Sequence, residues 1–270
     1  MRSSDIQPQY FPRLHYFARA LNSDVFTLRD DVQFVRSHKY PDGRNDKSYQ
    51  VHSPIKQSVG AYFLTVPTKH DGLKPIDQTR ISYDHKWIGG HLNTLKSTYS
   101  KSNNFITLYS EIKQIINTEY ETLSQLNTAT FFWGILHLIF GEQKVTPDML
   151  NIEFVNKKLK EQNLFRLKQI RIGSPSRALR NSKNMSATEK IIALCKEVGA
   201  TEDYCGGTGA AAYMDEKLYK KNGIKITVQD WKCKEYPQLF TKQQGFIPNL
   251  SIIDLLMNVP TEEAVKIIKG

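Results

Sequence analysis

The chain has 270 residues, 40% hydrophobic and 11% aromatic, which excludes a disordered composition and is enough to bury a full core. Its formal charge of +10 favours phosphate-bearing partners. Three widely spaced cysteines (Cys195, Cys205, Cys233) without metal-ligand spacing, a first segment without an apolar signal core, and a longest apolar stretch of only 129–140 argue against a disulfide scaffold, a metal centre, a secretory signal and a membrane span. A reduced, cytoplasmic protein is expected.

In chain order, Gln7-Pro8-Gln9-Tyr10-Phe11-Pro12 reads as a rigid turn, because the residue before each proline is pushed out of the α region. Pro12 suits the first position of a helix, and Leu14, Phe17, Ala18 and Leu21 repeat at helical spacing. Asn22-Ser23-Asp24 ends that helix, and Val25, Phe26 and Leu28 form a short buried strand with Asp30 and Asp31 at its carboxyl end. Residues 36–60 are turn-rich, with a strand expected at Tyr49–Val51. Ala61–Val66 is a strand, and Ile76–Tyr83 reads as another.

Helices follow at Trp87–Ser100, Phe105–Asn117 and Glu121–Phe140, a helical insert over about 86–145. Strand and helix then alternate again. A strand is expected at Leu167–Ile172, a polar loop from Ser174, and a helix opened by the capping box Ser186-x-x-Glu189 and closed at Gly199. Asp203–Cys205 is a short strand, Gly206-Gly207-Thr208-Gly209 a glycine turn, Ala210–Lys221 a helix and Ile224–Val228 a strand. The chain closes on a helical pair, Ile252–Asn258 and Thr261–Lys269. This pattern predicts an α/β fold over 1–270: one domain with a mainly parallel sheet built from two α/β halves around the insert.

Ligands of open α/β sheets bind at the carboxyl ends of the strands. Asp30 and Asp31 there either hold a metal, accept a hydroxyl or act as base, or hold a polar loop through Asx-turn bonds. The turn at Gly206, Gly207 and Gly209 lets backbone N–H groups approach an anion, with Tyr213 on the helix that follows. Cys205 at such a turn is either a nucleophile with a lowered pKa or a small buried residue. His15 and His91 are candidate bases or packed histidines. Trp87, Trp133 and Trp231 either stack on sugars or fill the core. Between Asn156 and Lys183 lie nine Lys/Arg against one acid, Glu161, a net +8, either a phosphate-attracting patch or a solvated surface.

The blocks Gln7-Pro-x-Tyr10-x-Pro12, Asp24-Val-Phe-x-Leu28 and Asp30-Asp-Val-Gln-Phe34 resemble the opening of the WbqC-like family. The resemblance continues at Phe63-Leu-Thr-Val-Pro67, His91-Leu-x-Thr-Leu, Tyr99-x-Lys101, Leu194-Cys-Lys, Tyr204-Cys-Gly206 and Leu250–Asn258. That family is bacterial in the main and associated with O-antigen and other surface-polysaccharide gene clusters. The resemblance implies substrate contacts at Gln7, Tyr10, Gln33, Arg44, Asn45, Tyr99 and Lys101, beside the candidates Asp30, Asp31, His15 and Cys205. It implies a role in glycan assembly or modification without specifying a reaction; taken with the basic segment 156–183 and the two strand ends, the leading expectation is transfer or ligation of a small group onto a sugar, an amino sugar carried on a nucleotide diphosphate. Two other classes compete: a nucleotidyl-transfer or adenylating enzyme, and a binding module for nucleic acid or an anionic membrane. No residue pattern specifies a cofactor or an oligomeric state.

Overall fold

The structure, a computed structural model, describes residues 1–39, 43, 45–141, 143–180, 182–207 and 214–270. In chain order the strands are β1 (Arg2–Ile6), β2 (Val25–Leu28), β3 (Ser37–Lys39), β4 (Asn45–Lys47), β5 (His52–Gln57), β6 (Gly60–Thr65), β7 (Gln169–Ile172), β8 (Glu202–Cys205) and β9 (Lys225–Val228). The helices are α1 (Leu14–Leu21), α2 (Trp87–Tyr99), α3 (Phe105–Asn117), α4 (Leu123–Phe140), α5 (Ile152–Glu161), α6 (Ala187–Glu197), α7 (Glu216–Lys221), α8 (Thr241–Gln244), α9 (Ile252–Asn258) and α10 (Thr261–Lys269).

Five strands form one parallel sheet in the order β7-β2-β1-β8-β9. The fold is α/β, with both halves contributing to this sheet. The chain builds outward from β1 to β2 and β7, then crosses back to β8 on the other flank of β1. That reversal creates a topological switch point between β1 and β8, where doubly wound sheets open a crevice for ligands. The larger core gathers α1, α4, α9 and α10 with Phe26, Leu28 and Ile170. A separate, smaller core, with Ile191, Ile192, Cys195, Tyr219 and Ile224, joins α6 and α7. At the β7 edge the Asn156 side chain exchanges two hydrogen bonds with the backbone of Ile170, at 2.7 and 2.9 Å. This satisfies peptide groups that an open edge would leave unpaired.

The predicted helix after Pro12 starts later, at Leu14. Pro12 and Arg13 are held extended because Ile252 donates to the Pro12 carbonyl (2.9 Å) and Arg13 bridges Ser251. Ile76–Tyr83 is not a strand. A 3-10 turn at Ile76–Gln78 follows Pro75, closed by Thr79 N–H and its hydroxyl onto the carbonyls of Ile76 and Pro75. The strand expected at Tyr49–Val51 begins instead at His52, after a turn closed by His52 N–H on Ser48 O. The Ser186/Glu189 capping box forms both of its bonds. Of the helix expected over Ala210–Lys221, the described part is α7, capped by Asp215.

Candidate functional site

A crevice of about 700 Å³ opens at the switch point. Gln7 follows β1, Asp31 and Gln33 follow β2, Cys205, Gly206 and Gly207 end β8, and His15 comes from α1. The crevice therefore brings together candidates from the opening block and from the glycine turn. It adds four charged groups that sequence reasoning missed: Asp5, Arg19, Arg29 and Lys190.

Arg29 is clamped between two acids. Its Nε and Nη2 donate to Asp31 Oδ1 and Oδ2 at 2.7 and 2.9 Å, and Nη1 donates to Asp5 Oδ2 at 2.8 Å. Burial opposes its charge, but the bonds and charges of Asp31 and Asp5 outweigh that and hold its pKa above the ordinary value. Asp31 presses on Gly173, where a Cβ would stand 2.6 Å from Asp31 Oδ1 and 3.0 Å from the Leu28 carbonyl.

Arg19 takes a different position. Its Nε donates to Gln229 Oε1 at 2.9 Å, and Gln229 Nε2 donates to the His15 carbonyl at 3.0 Å. The guanidinium then lies over Gly206, where a Cβ would meet Nη2 at 2.5 Å. Burial lowers the Arg19 pKa, opposed by Cys205, Tyr204 and Asp5. Among the described residues no carboxylate forms an ion pair with Arg19 or Lys190. Two cations thus face the crevice beside the β8 end.

The first N–H groups of α1 are not available to an anion. Leu14 N donates to Leu250 O (3.1 Å) and His15 N to Asn249 Oδ1 (2.9 Å). Anion binding here rests on side chains, with the backbone at Gly206 and Gly207 beside them. Cys205 is buried, and burial together with Asp203 pushes its thiol up to about 11. At neutral pH it is a thiol rather than a thiolate. His15 is neutral: burial and the cations of Arg13 and Arg19 bring its pKa down to about 3.

Asp30 and Asp31 do not converge. Asp30 Oδ1 accepts from Ser174 N (2.7 Å), and Oδ2 accepts from Ser174 Oγ (3.0 Å) and Ser124 Oγ (3.1 Å). It ties the end of β2 to the loop after β7 and the start of α4. Burial raises its pKa against those bonds. Asp30 also walls a separate cavity of about 850 Å³ with Asp77, Tyr120 and Gln125.

Tyr10 and Tyr99 are core residues. The Tyr10 hydroxyl pairs with His91 Nδ1 at 3.1 Å, and the Tyr99 hydroxyl donates to the buried Asp254 at 2.7 Å. Lys101 is exposed between α2 and α3, and Asn45 is exposed on β4. Arg44, Gly209 and Tyr213 lie outside the described residues.

The basic segment 156–183 is scattered over α5, β7 and the following turns. Lys158, Arg166 and Arg171 are paired with Glu161, Asp24 and Glu197, and none of its nine cations lines the crevice. Among the described residues no group of three or more His, Cys, Asp or Glu could hold a metal ion. No helix of the described residues is long and apolar enough to cross a membrane.

The model of the WbqC-like protein family matches residues 7–266. The chain is also 28% identical over 261 residues to a Mycobacterium tuberculosis (strain ATCC 25618 / H37Rv) protein called "Uncharacterized protein Rv1507c". That alignment covers 95% of this chain and 93% of the relative. No solved structure matches.

Proposed function

The chain belongs to the WbqC-like family, and from that membership and the cationic crevice we propose an enzyme of bacterial surface-glycan biosynthesis. Its substrate is a phosphate-bearing small molecule, a nucleotide-linked amino sugar, onto which it transfers or ligates a small group. One observation carries the reading. Arg19 and Lys190 stand without a carboxylate partner among the described residues, beside a glycine strand end at the switch point of a doubly wound sheet. A diphosphate supplies the missing negative charge, and about 700 Å³ lies within the usual range for small-molecule sites.

In this reading Arg19 and Lys190 hold phosphate. Asp31, oriented by Arg29, keeps lone pairs for a sugar hydroxyl or amine. Gln7 and Gln33 supply neutral contacts, and Cys205 is a wall rather than a nucleophile. Asp30, bonded to Ser124 and Ser174, is a structural anchor.

Thermal unfolding with UDP-N-acetylglucosamine, UDP and inorganic pyrophosphate tests this. A ligand at one hundred times its Kd stabilises by about 2.7 kcal/mol, a shift that Arg19→Met and Lys190→Met should each reduce. No shift with any of the three at millimolar concentration sinks the reading. Nucleotidyl transfer remains the second reading because switch-point crevices suit nucleotides; ATP-dependent pyrophosphate exchange would favour it.

A further inference from the structure

His15 lines the crevice, and its ring is not free to choose a tautomer. Asn249 Oδ1 accepts the backbone N–H of His15 at 2.9 Å, which identifies that amide atom as the oxygen. The same oxygen is 3.1 Å from His15 Nδ1. An amide oxygen only accepts, so the hydrogen-bond network assigns the ring proton to Nδ1 and the lone pair to Nε2. Nε2 has no protein partner among the described residues.

Asn249 is held where it can do this. Its φ of 57° lies in the left-handed region, which asparagine tolerates better than most residues. Its carbonyl accepts from Arg13 Nε at 2.8 Å. The loop before it is fastened to the core: Gln238 Oε1 accepts from Ile247 N and from buried Lys56 Nζ, both at 3.0 Å, and Tyr236 donates to Asp254 at 2.8 Å. Arg13 and Arg19, on its own segment, disfavour charge on the ring. Across the crevice are Asp5, Arg29, Asp31, Lys190 and Cys205. Both of those acids are engaged by Arg29, and no described carboxylate forms an ion pair with His15.

We propose that Asn249 is a positioning residue that presents His15 Nε2 to the crevice as a neutral hydrogen-bond acceptor. The ligand therefore carries a donor, a hydroxyl or an amine or amide N–H, next to its phosphate. This deepens the sugar-phosphate reading and rests on it for the ligand, though not for the tautomer. A bare pyrophosphate satisfies Arg19 and Lys190 but leaves Nε2 unpaired; a sugar nucleotide satisfies all three.

Long-range proton–nitrogen NMR of the histidine rings tests the tautomer in the free protein. His15 should show the neutral, Nδ1-protonated pattern throughout about pH 5 to pH 8. Asn249→Asp keeps the shape and the acceptor but adds a charge, and should raise the His15 midpoint by at least about one pH unit. An imidazolium at neutral pH, an Nε2-protonated ring, or an unchanged midpoint in Asn249→Asp overturns the proposal. With UDP-N-acetylglucosamine added, the His15 Nε2 resonance should move, whereas pyrophosphate should leave it in place. Binding without that movement also overturns it. Failure of every phosphate compound to bind overturns the sugar-phosphate reading instead, and leaves the tautomer result to decide the role of Asn249.

Discussion

At Gly206 one methyl group decides where a guanidinium can stand. A Cβ there meets Arg19 Nη2 at 2.5 Å, the far end of a flexible side chain that can swing away. Gly206→Ala should therefore change stability by less than about 1 kcal/mol while moving a cation out of the crevice. The expected result is an almost unchanged melting temperature with roughly tenfold weaker binding of UDP-N-acetylglucosamine, about 1.4 kcal/mol. Undiminished affinity by calorimetry would remove Arg19 from the phosphate site. Gly173 is the opposite case, because its Cβ would meet the Leu28 carbonyl at 3.0 Å as well as Asp31 at 2.6 Å. Backbone cannot swing away, so Gly173→Ala should destabilise by about 1–3 kcal/mol, read as a lower urea midpoint. A neutral result there would mean that the β2 end yields more easily than its contacts indicate.

At the scale of elements, α4 and α1 meet through Gly134. A Cβ at that position would lie 2.5 and 2.8 Å from the Phe17 ring and 3.3 Å from Ile252. Phe17 is fully buried and packs on Phe131, ring centroids 5.3 Å apart. Gly134→Ala gains about 1 kcal/mol of helix propensity but overpacks a closed contact, which costs about 1–3 kcal/mol. Net destabilisation in urea is expected, and a stabilised variant would show that α1 can move away from α4. The periodicity that makes α1, α9 and α10 is local, and their cores were legible in sequence. So was the Ser186/Glu189 box, whose two bonds close within four residues. β1 was hidden because Arg2-Ser3-Ser4-Asp5-Ile6 carries little apolar signal, and its partners begin at Val25 and Glu202. α5 was hidden inside a basic run. The candidate site was legible where it sits at strand ends, at Gln7, Asp31, Gln33 and Cys205–Gly207. Arg19 and Asn249 were not, because their roles depend on contacts with Gln229 and His15 more than two hundred residues away in the chain. Tyr10 and Tyr99, which the family resemblance offers as substrate contacts, have buried partners in His91 and Asp254 that lie 81 and 155 residues away and carry no local sequence signal.

At the scale of the whole molecule, buried histidines set the response to acid. Burial, with Arg13 and Arg19, brings the His15 pKa down to about 3, and burial brings His91 down to about 4 despite its bond to Thr65. An unfolded histidine titrates near pH 6.5. A depressed folded pKa means that the unfolded chain binds the proton first, so this stability is fully present above about pH 6.5. It is lost as pH falls toward the folded values. Half-buried His52, also lowered to about 4, acts in the same direction with a weaker effect. Asp203 opposes them. Burial and the neighbouring Asp5 raise its pKa, so its contribution is present at low pH and is lost as pH rises. Each net proton is worth about 1.4 kcal/mol per pH unit. Each deeply buried histidine therefore loses about 2 kcal/mol of stabilisation between about pH 7 and pH 5, while Asp30 and Asp254, whose pKa values burial also raises, act with Asp203 in the opposite sense. His91→Gln can preserve the contacts with Tyr10 and Thr65 without a titrating ring, and in urea unfolding at both pH values it should lose about 2 kcal/mol less than the wild type on acidification. The same pH dependence in His91→Gln as in the wild type would mean that the His91 ring takes up its proton in the folded state as readily as in the unfolded chain.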